Sequence, residues 1–401
     1  MTNHKSPRIL VAAEFAPGAP GGDWVNIKQH FRGLDWGQIY WWSFSGPVVS
    51  GAREFGGRHR SYDLPPRLSP NRKWTGLKSW VIETFLVPAA ARHLLAFIRE
   101  VEPDLVFLMA RGWMLPLAHR VMPQTKTHWH VALYDMPDVD GMVRRLGSRR
   151  VARFTAYTNT LYRNAASRSV ISPEMGEEMQ RRTGVACSTY FRCSVEPEML
   201  ARLREPAPKP PDDVIRIGYA GAIIAEATFA LFVQALQSIR SQLRRRIEIH
   251  LYGSQLYADR DWFDPALITE HGFISEAELN RHYQQGTWGL AIMRLDDGDP
   301  LYNHFSFPCK FTMSLASGLP LICLGHRQSP LITLAQHYRL GLVLTENEAA
   351  VLAERLLESL EDFSRFDDYR REALRCAETE FNAGQNRQRL HQLLDAAVKT
   401  T

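Results

Sequence analysis

Short apolar runs alternate along this chain with longer segments whose hydrophobic positions recur at helical spacing. In the C-terminal half the runs fall at residues 214–219, 247–252, 271–275 and 288–293, and helical spacing holds over 229–238 and 276–283. The N-terminal half carries the same signal at 9–13, 103–108 and 130–134. A parallel strand is covered on both faces, so it reads as an unbroken apolar run. Runs of this kind separated by helices predict an α/β chain built on parallel sheets. With 401 residues the chain is long enough for two or three domains with sizeable cores.

The densest pattern is F-P-C-K-F-T-M-S-L-A-S-G-L-P at 307–320, followed by the apolar run 321–324. Pro308 suits the first position of a helix, where its missing N–H would have no partner, and Gly318 suits the left-handed residue that ends one. Lys310 then falls in the first turn, where backbone N–H groups and the ammonium together favour an anion.

Taken in order, G-Y-A-G at 218–221, L-Y-G at 251–253, H-G-F-I-S-E-A-E-L at 271–279 and P-C-K-F-T-M-S-L-A-S-G-L-P-L-I at 308–322 resemble the donor domain of GT-B glycosyltransferases, especially family 4 and group 1 polysaccharide-building enzymes. The resemblance implies a GT-B fold, two Rossmann-like domains with parallel sheets facing a central cleft. It places an acceptor-side domain at 1–203, a linker at 204–213 where E-P-A-P-K-P-P-D-D crowds proline and charge, a donor domain at 214–380, and a final helix at 381–401 crossing back. The implied activity is hexosyltransferase-like. A sugar passes from a nucleoside diphosphate, the co-substrate, to a hydroxyl of a saccharide or lipid-linked saccharide in polysaccharide or glycolipid biosynthesis. The implied donor-binding residues are Gly221, Ala222, Tyr252, Gly253, Phe273, His304, Phe305, Ser306, Phe307, Lys310 and Met313. The base would lie beside 272–274, the phosphates at Gly221 and Lys310, and the sugar near 304–307. The run 169–175 resembles the sixth strand of the N-terminal domain and its serine turn.

Departures from the family bear on the same site. The two glutamates that bracket the helix in many relatives are replaced by Phe305 and Met313, and A-I-I-A-E-A at 222–227 lacks the usual arginine and lysine. Lys310 is left as the cation for a diphosphate, aided by backbone N–H groups at Gly221 and the helix start. The family's retention of anomeric configuration is not carried over. Two alternatives stay open: a catalytically inactive GT-B protein acting as a membrane-associated partner, and a nucleotide-sugar epimerase active without an acceptor.

In the N-terminal half, A-P-G-A-P-G-G-D-W at 16–24 predicts a glycine loop opening a helix near Trp24, with Asp23 as its cap. Gly21 and Gly22 are acceptor-side candidates on the family pattern. Asp135, at the carboxyl end of a central strand, is read either as a turn cap before Pro137 or as a general base for an acceptor hydroxyl; Asp23 is the second catalytic candidate, and Asp138 and Asp140 share the ambiguity.

Lys and Arg exceed Asp and Glu by 48 − 43 = 5, a mild excess compatible with phosphorylated ligands or anionic membranes. Residues 66–80 interleave basic residues with Trp74 and Trp80, as at a lipid headgroup layer, and Arg144, Arg145, Arg149, Arg150 and Arg153 extend the basic character. A buried loop reads equally well. No nucleic-acid motif accompanies the pattern. The cysteines, Cys187, Cys193, Cys309, Cys323 and Cys376, have no paired spacing, which argues against zinc and a disulfide framework. His128, His130 and His271 read as hydrogen-bonded structural residues, His304 as a donor ligand, and Asp296, Asp297 and Asp299 as a solvated turn rather than a metal loop. No cofactor or metal is expected. The start of the chain lacks a leader-like apolar stretch, so the expected place is the cytoplasm, at or near the inner membrane face.

Overall fold

The computed structural model describes residues 7–19, 22–44, 57–65, 68, 75–138, 141–205 and 212–399. Gly21, Asp140 and most of the 66–74 stretch lie outside them. The chain divides into two compact units, residues 1–192 with 385–401, and residues 193–384.

In the first unit the described residues form a parallel sheet from β1 (Ile9–Ala13), β2 (Ile39–Ser43), β3 (Arg58–Ser61), β4 (Leu105–Met109), β5 (His128–Leu133), β6 (Ser167–Val170) and β7 (Thr189–Tyr190), in the order β3-β2-β1-β4-β5-β6-β7. Every residue of β1 and β4 is buried, as the apolar runs require. The helix Val87–Val101 lays Leu94, Phe97 and Ile98 into the core. The sequence pattern missed β2 and β3, which lie at one edge of the sheet. At the sixth strand, Ser172 caps the helix Pro173–Thr183 by accepting from the Met175 N–H at 3.2 Å.

The second unit repeats the order. Its strands are β8 (Val214–Ala220), β9 (Arg246–Tyr252), β10 (Ile268–Glu270), β11 (Trp288–Ile292), β12 (Leu321–Leu324) and β13 (Gly341–Leu344), arranged β10-β9-β8-β11-β12-β13. All pairings are parallel. One face is covered by Phe229, Phe232 and Leu236 of the helix Glu226–Ile239, the other by Phe311 and Leu315 of the helix Phe311–Ser317. Residues 271–275, expected as a strand, form a loop and a helix cap instead. Gly272 takes a left-handed φ of 70°, and Ser275 closes a capping box with Glu278.

The division between units falls ahead of the proline-rich stretch. Val195, Leu200 and Leu203 pack into the second unit's core with Phe311 and Leu315. Arg370 donates to the carbonyls of Arg202 and Glu205, each at 2.9 Å, and so fastens the same segment.

Candidate functional site

In each sheet the first strand is flanked by the second on one side and the fourth on the other. Loops leaving the carboxyl ends of the first and fourth strands diverge there and open a crevice, the usual ligand site of a doubly wound sheet.

In the second unit the crevice lies between β8 and β11. Gly221, directly after β8, has a φ of 100°, and a β-carbon there would come within 2.6 Å of the Lys310 side chain. Glycine thus serves twice, supplying a left-handed turn and clearance for the lysine. The Lys310 ammonium donates to the Ala222 carbonyl and, at 3.3 Å, to the Tyr219 hydroxyl, and it sits 5.3 Å from the Tyr219 ring centre. Among the described residues no carboxylate pairs with it. Half-buried without a counter-charge, it is desolvated, and its pKa falls to about 8.

Pro308 does not begin the helix. The chain makes a turn in which the Phe311 N–H donates to the Pro308 carbonyl at 3.0 Å, and the helix runs Phe311–Ser317 with Lys310 in the capping position. Gly318 ends it with a φ of 71°. The backbone donors expected at the phosphates are also committed elsewhere. The Gly221 N–H donates to the Tyr252 carbonyl at 2.5 Å, and the Ile223 N–H to the Tyr257 hydroxyl at 2.6 Å. Any anion at this edge relies on the Lys310 side chain more than on the glycine loop.

Neighbouring loops are held from below. The Gly253 N–H donates to the Gly272 carbonyl at 2.9 Å, and a β-carbon on Gly253 would press on the Gly221 backbone at 3.3 Å. Tyr252 stacks on His271 at 4.7 Å, and His271 shares a 2.8 Å hydrogen bond with His250, which contacts Glu248 at 3.1 Å. His282 of the helix Glu276–Gln284 packs against the stack, 4.9 Å from His271 and 5.2 Å from Tyr252, and these rings line a cavity of about 200 Å³. Above it, Phe273 is 84% exposed, an aromatic face presented to solvent at the loop tip.

The 304–307 stretch divides. His304 is exposed at the end of the helix Pro300–Phe305, Phe305 and Ser306 are buried, and Phe307 is half-buried with its ring 5.4 Å from Phe311. Met313 is half-buried inside the helix Phe311–Ser317. The acidic cluster forms an exposed turn at 296–298, as expected, whose carboxylates also have local partners. Asp299 caps the helix Pro300–Phe305, Asp296 holds Arg294 at 2.8 Å, and Asp297 contacts His326 at 2.8 Å. Among the described residues no three His, Cys, Asp or Glu side chains are placed to hold a metal.

The first unit's crevice, between β1 and β4, has different chemistry. Asp23 lies in the first turn of the helix Gly22–Phe31 rather than capping it, and accepts from Arg111, just past β4, at 2.9 Å. Gly22 is exposed at the helix start. Glu14, just past β1, accepts from the Trp113 N–H. Asp135 is half-buried two residues past β5, beside Tyr134, whose hydroxyl accepts from Asn26 at 2.7 Å. Glu14 and Arg111 were missed in the sequence because each is an isolated residue outside any motif; position after a strand was the available signal. Asp138 is taken by Arg182 at 2.8 Å. His130 is buried between the Ser167 and Ser169 hydroxyls, at 2.8 and 2.9 Å, and burial lowers its pKa to about 3.

No protein-family model matches the chain, and no curated protein matches it. Solved structures do. A glycosyltransferase from Rickettsia africae is similar at a TM-score of 0.67 and 10% identity, over 99% of this chain and 100% of that one. Sucrose-phosphate synthase from Thermosynechococcus elongatus is similar at 0.66 and 15% identity, over 99% and 100%. Anabaena HepE in complex with UDP and glucose is similar at 0.64 and 13% identity, over 97% and 100%. Identities this low speak to architecture. The chain has the GT-B fold, an α/β architecture of two Rossmann-like units.

Proposed function

We propose that this protein transfers a sugar from a nucleoside diphosphate to a hydroxyl acceptor, a saccharide or lipid-linked saccharide. The observation that carries the reading is Lys310, a half-buried ammonium without a carboxylate partner among the described residues, held at the crevice of the second unit's sheet by the clearance at Gly221. A diphosphate restores the missing counter-charge. As the glycosidic bond to the donor breaks, negative charge grows on the β-phosphate, and a fixed ammonium there stabilises the leaving group. Phe273 offers a flat apolar surface for the base. In the first unit Asp135 is assigned the acceptor's proton, and the Asp23–Arg111 pair the orientation of acceptor hydroxyls. HepE in complex with UDP and glucose supports UDP-hexoses as the first donors to try.

A panel of nucleoside diphosphate sugars, assayed for nucleotide binding by calorimetry and for transfer to saccharide and polyprenyl-linked acceptors by mass spectrometry, tests the proposal. At least one donor should bind and transfer. Binding with turnover in the absence of acceptor would favour an epimerase, and no binding across the panel would favour an inactive GT-B protein.

A further inference from the structure

The first unit carries a second surface that the transfer reading does not use. The helix Thr75–Val81 continues through a π-helical segment, Ile82–Leu86, into the helix Val87–Val101. The Val87 N–H donates to the Ile82 carbonyl, five residues back, which is the bond that defines the wider turn. That extra residue per turn sets Trp80 and Phe85, five apart, edge to face at 5.6 Å. Leu77, Trp80 and Phe85 are 62%, 51% and 57% exposed and follow one another along one side. Continuous over Gly76–Val101, the helix is long and apolar enough to cross a bilayer, yet its second half is packed into the core through Leu94, Phe97 and Ile98. A helix so anchored can lie on a membrane but not span it.

Beside this apolar ridge runs a groove of about 820 Å³ bordered by Trp80, Glu83, Arg120, Arg149, Arg150 and Arg153. Glu83 is the carboxylate of that lining, and it is shared by Arg150, at 3.3 Å, and Arg153. Arg120 and Arg149 are exposed and have no acidic partner among the described residues. Exposed Arg144 and Arg145 add charge just before Arg149. The guanidinium groups of Arg120 and Arg149, next to exposed indole, phenyl and leucyl side chains, match a layer of phosphate headgroups over acyl chains: cations meet phosphates while the apolar tips enter the boundary.

We propose that this face docks the protein on an anionic lipid bilayer, with Leu77, Trp80 and Phe85 inserted and Arg120 and Arg149 on the headgroups. The inference stands apart from the donor chemistry of the second unit. It places the contact on residues 77–85 and the start of the helix Ser148–Asn164, where the sequence pattern had centred it on 66–80.

Co-sedimentation of the full chain with vesicles tests it. Vesicles of phosphatidylcholine with about a third phosphatidylglycerol should bind the protein at 0.1 M salt and release it at 0.5 M, because the charged contribution is screened. Pure phosphatidylcholine vesicles should bind at least tenfold more weakly. The triple variant Leu77→Ser, Trp80→Ser, Phe85→Ser and the double variant Arg120→Ser, Arg149→Ser should each lose tenfold or more, with thermal melting as the check that these exposed changes leave the fold intact. Equal binding to neutral and anionic vesicles, or binding that neither variant alters, overturns the proposal. So does tight binding to a soluble polyanion such as heparin that competes with vesicles and is indifferent to the apolar triple variant.

Discussion

The two sheets share one strand order, yet their carboxyl edges differ in kind. After β8 the second unit places Gly221, with Gly253 and Gly272 on adjoining loops and a single ammonium, Lys310, reaching across. Two carboxylates of this unit, one at the start of the helix after β8 and one at the end of β10, are engaged: Glu226 by Arg260 and Trp262 at 3.2 and 3.1 Å, and Glu270 by the Tyr257 N–H. After β1 the first unit places Glu14, with Asp23 and Asp135 nearby and Arg111 pairing one of them. One edge suits an anion that must be neutralised, the other a neutral hydroxyl that must be oriented and deprotonated. The backbone supplies the same crevice twice; the residues directly after the strands decide what each can hold.

The contrast breaks most visibly through Asp135. Asp135→Asn should lower kcat by about 10²–10⁴-fold, the usual contribution of a positioned base, while leaving nucleotide affinity unchanged. Loss of affinity together with kcat would merge two roles assigned to different units. Next comes Lys310→Ala, which should weaken nucleotide binding by about 1.5–3 kcal/mol, roughly 10- to 150-fold, as for a charge-assisted hydrogen bond. Gly221→Ala forces a side chain into a left-handed residue and against the lysine stem. It should cost about 1–3 kcal/mol of stability, measured by denaturant titration, and displace the ammonium. Phe273→Ala should be mildest, about 1 kcal/mol in nucleotide affinity, the low end for a base stacked on an aromatic ring.

Acidity sharpens the same contrast. Because desolvation lowers the Lys310 pKa to about 8 in the free protein and a bound diphosphate would raise it, nucleotide affinity should be flat below pH 8 and fall above it. The stability sign is opposite to that of a lysine that has gained a partner. The unfolded chain keeps the proton to higher pH, so the free protein gains stability as pH rises from about 8 toward 10.5. Lys310→Met should therefore melt higher than the parent at pH 7 while binding nucleotide less well.

Local signals carried far through the sequence. The buried strands were legible as apolar runs and the helix end at Gly318 because left-handed backbone there calls for glycine, whereas 271–275 read as a strand and the capping box at Ser275 went unread. The Lys310 helix was legible as a motif, but its start was not. Pro308 fits a first helical position, and only the turn closed by the Phe311 N–H moves the start to Phe311. The use of the Gly221 N–H by Tyr252 depends on a neighbouring strand, and the Asp23–Arg111 pair joins residues separated by the whole of β2 and β3. Pairings of that range leave no periodic trace. Trp80 was visible as an aromatic among cations, whereas the π-helical segment that sets it beside Phe85 was not.

The account rests on Lys310 seating a diphosphate, and calorimetric titration of UDP and the other nucleoside diphosphates into the parent and Lys310→Met proteins at pH 7 and pH 9.5 tests it most directly. The prediction is that at least one nucleotide binds the parent at pH 7, that its affinity falls at pH 9.5, and that Lys310→Met is weak at both. Equal affinity of the two proteins at pH 7, with the same response to pH, would contradict it.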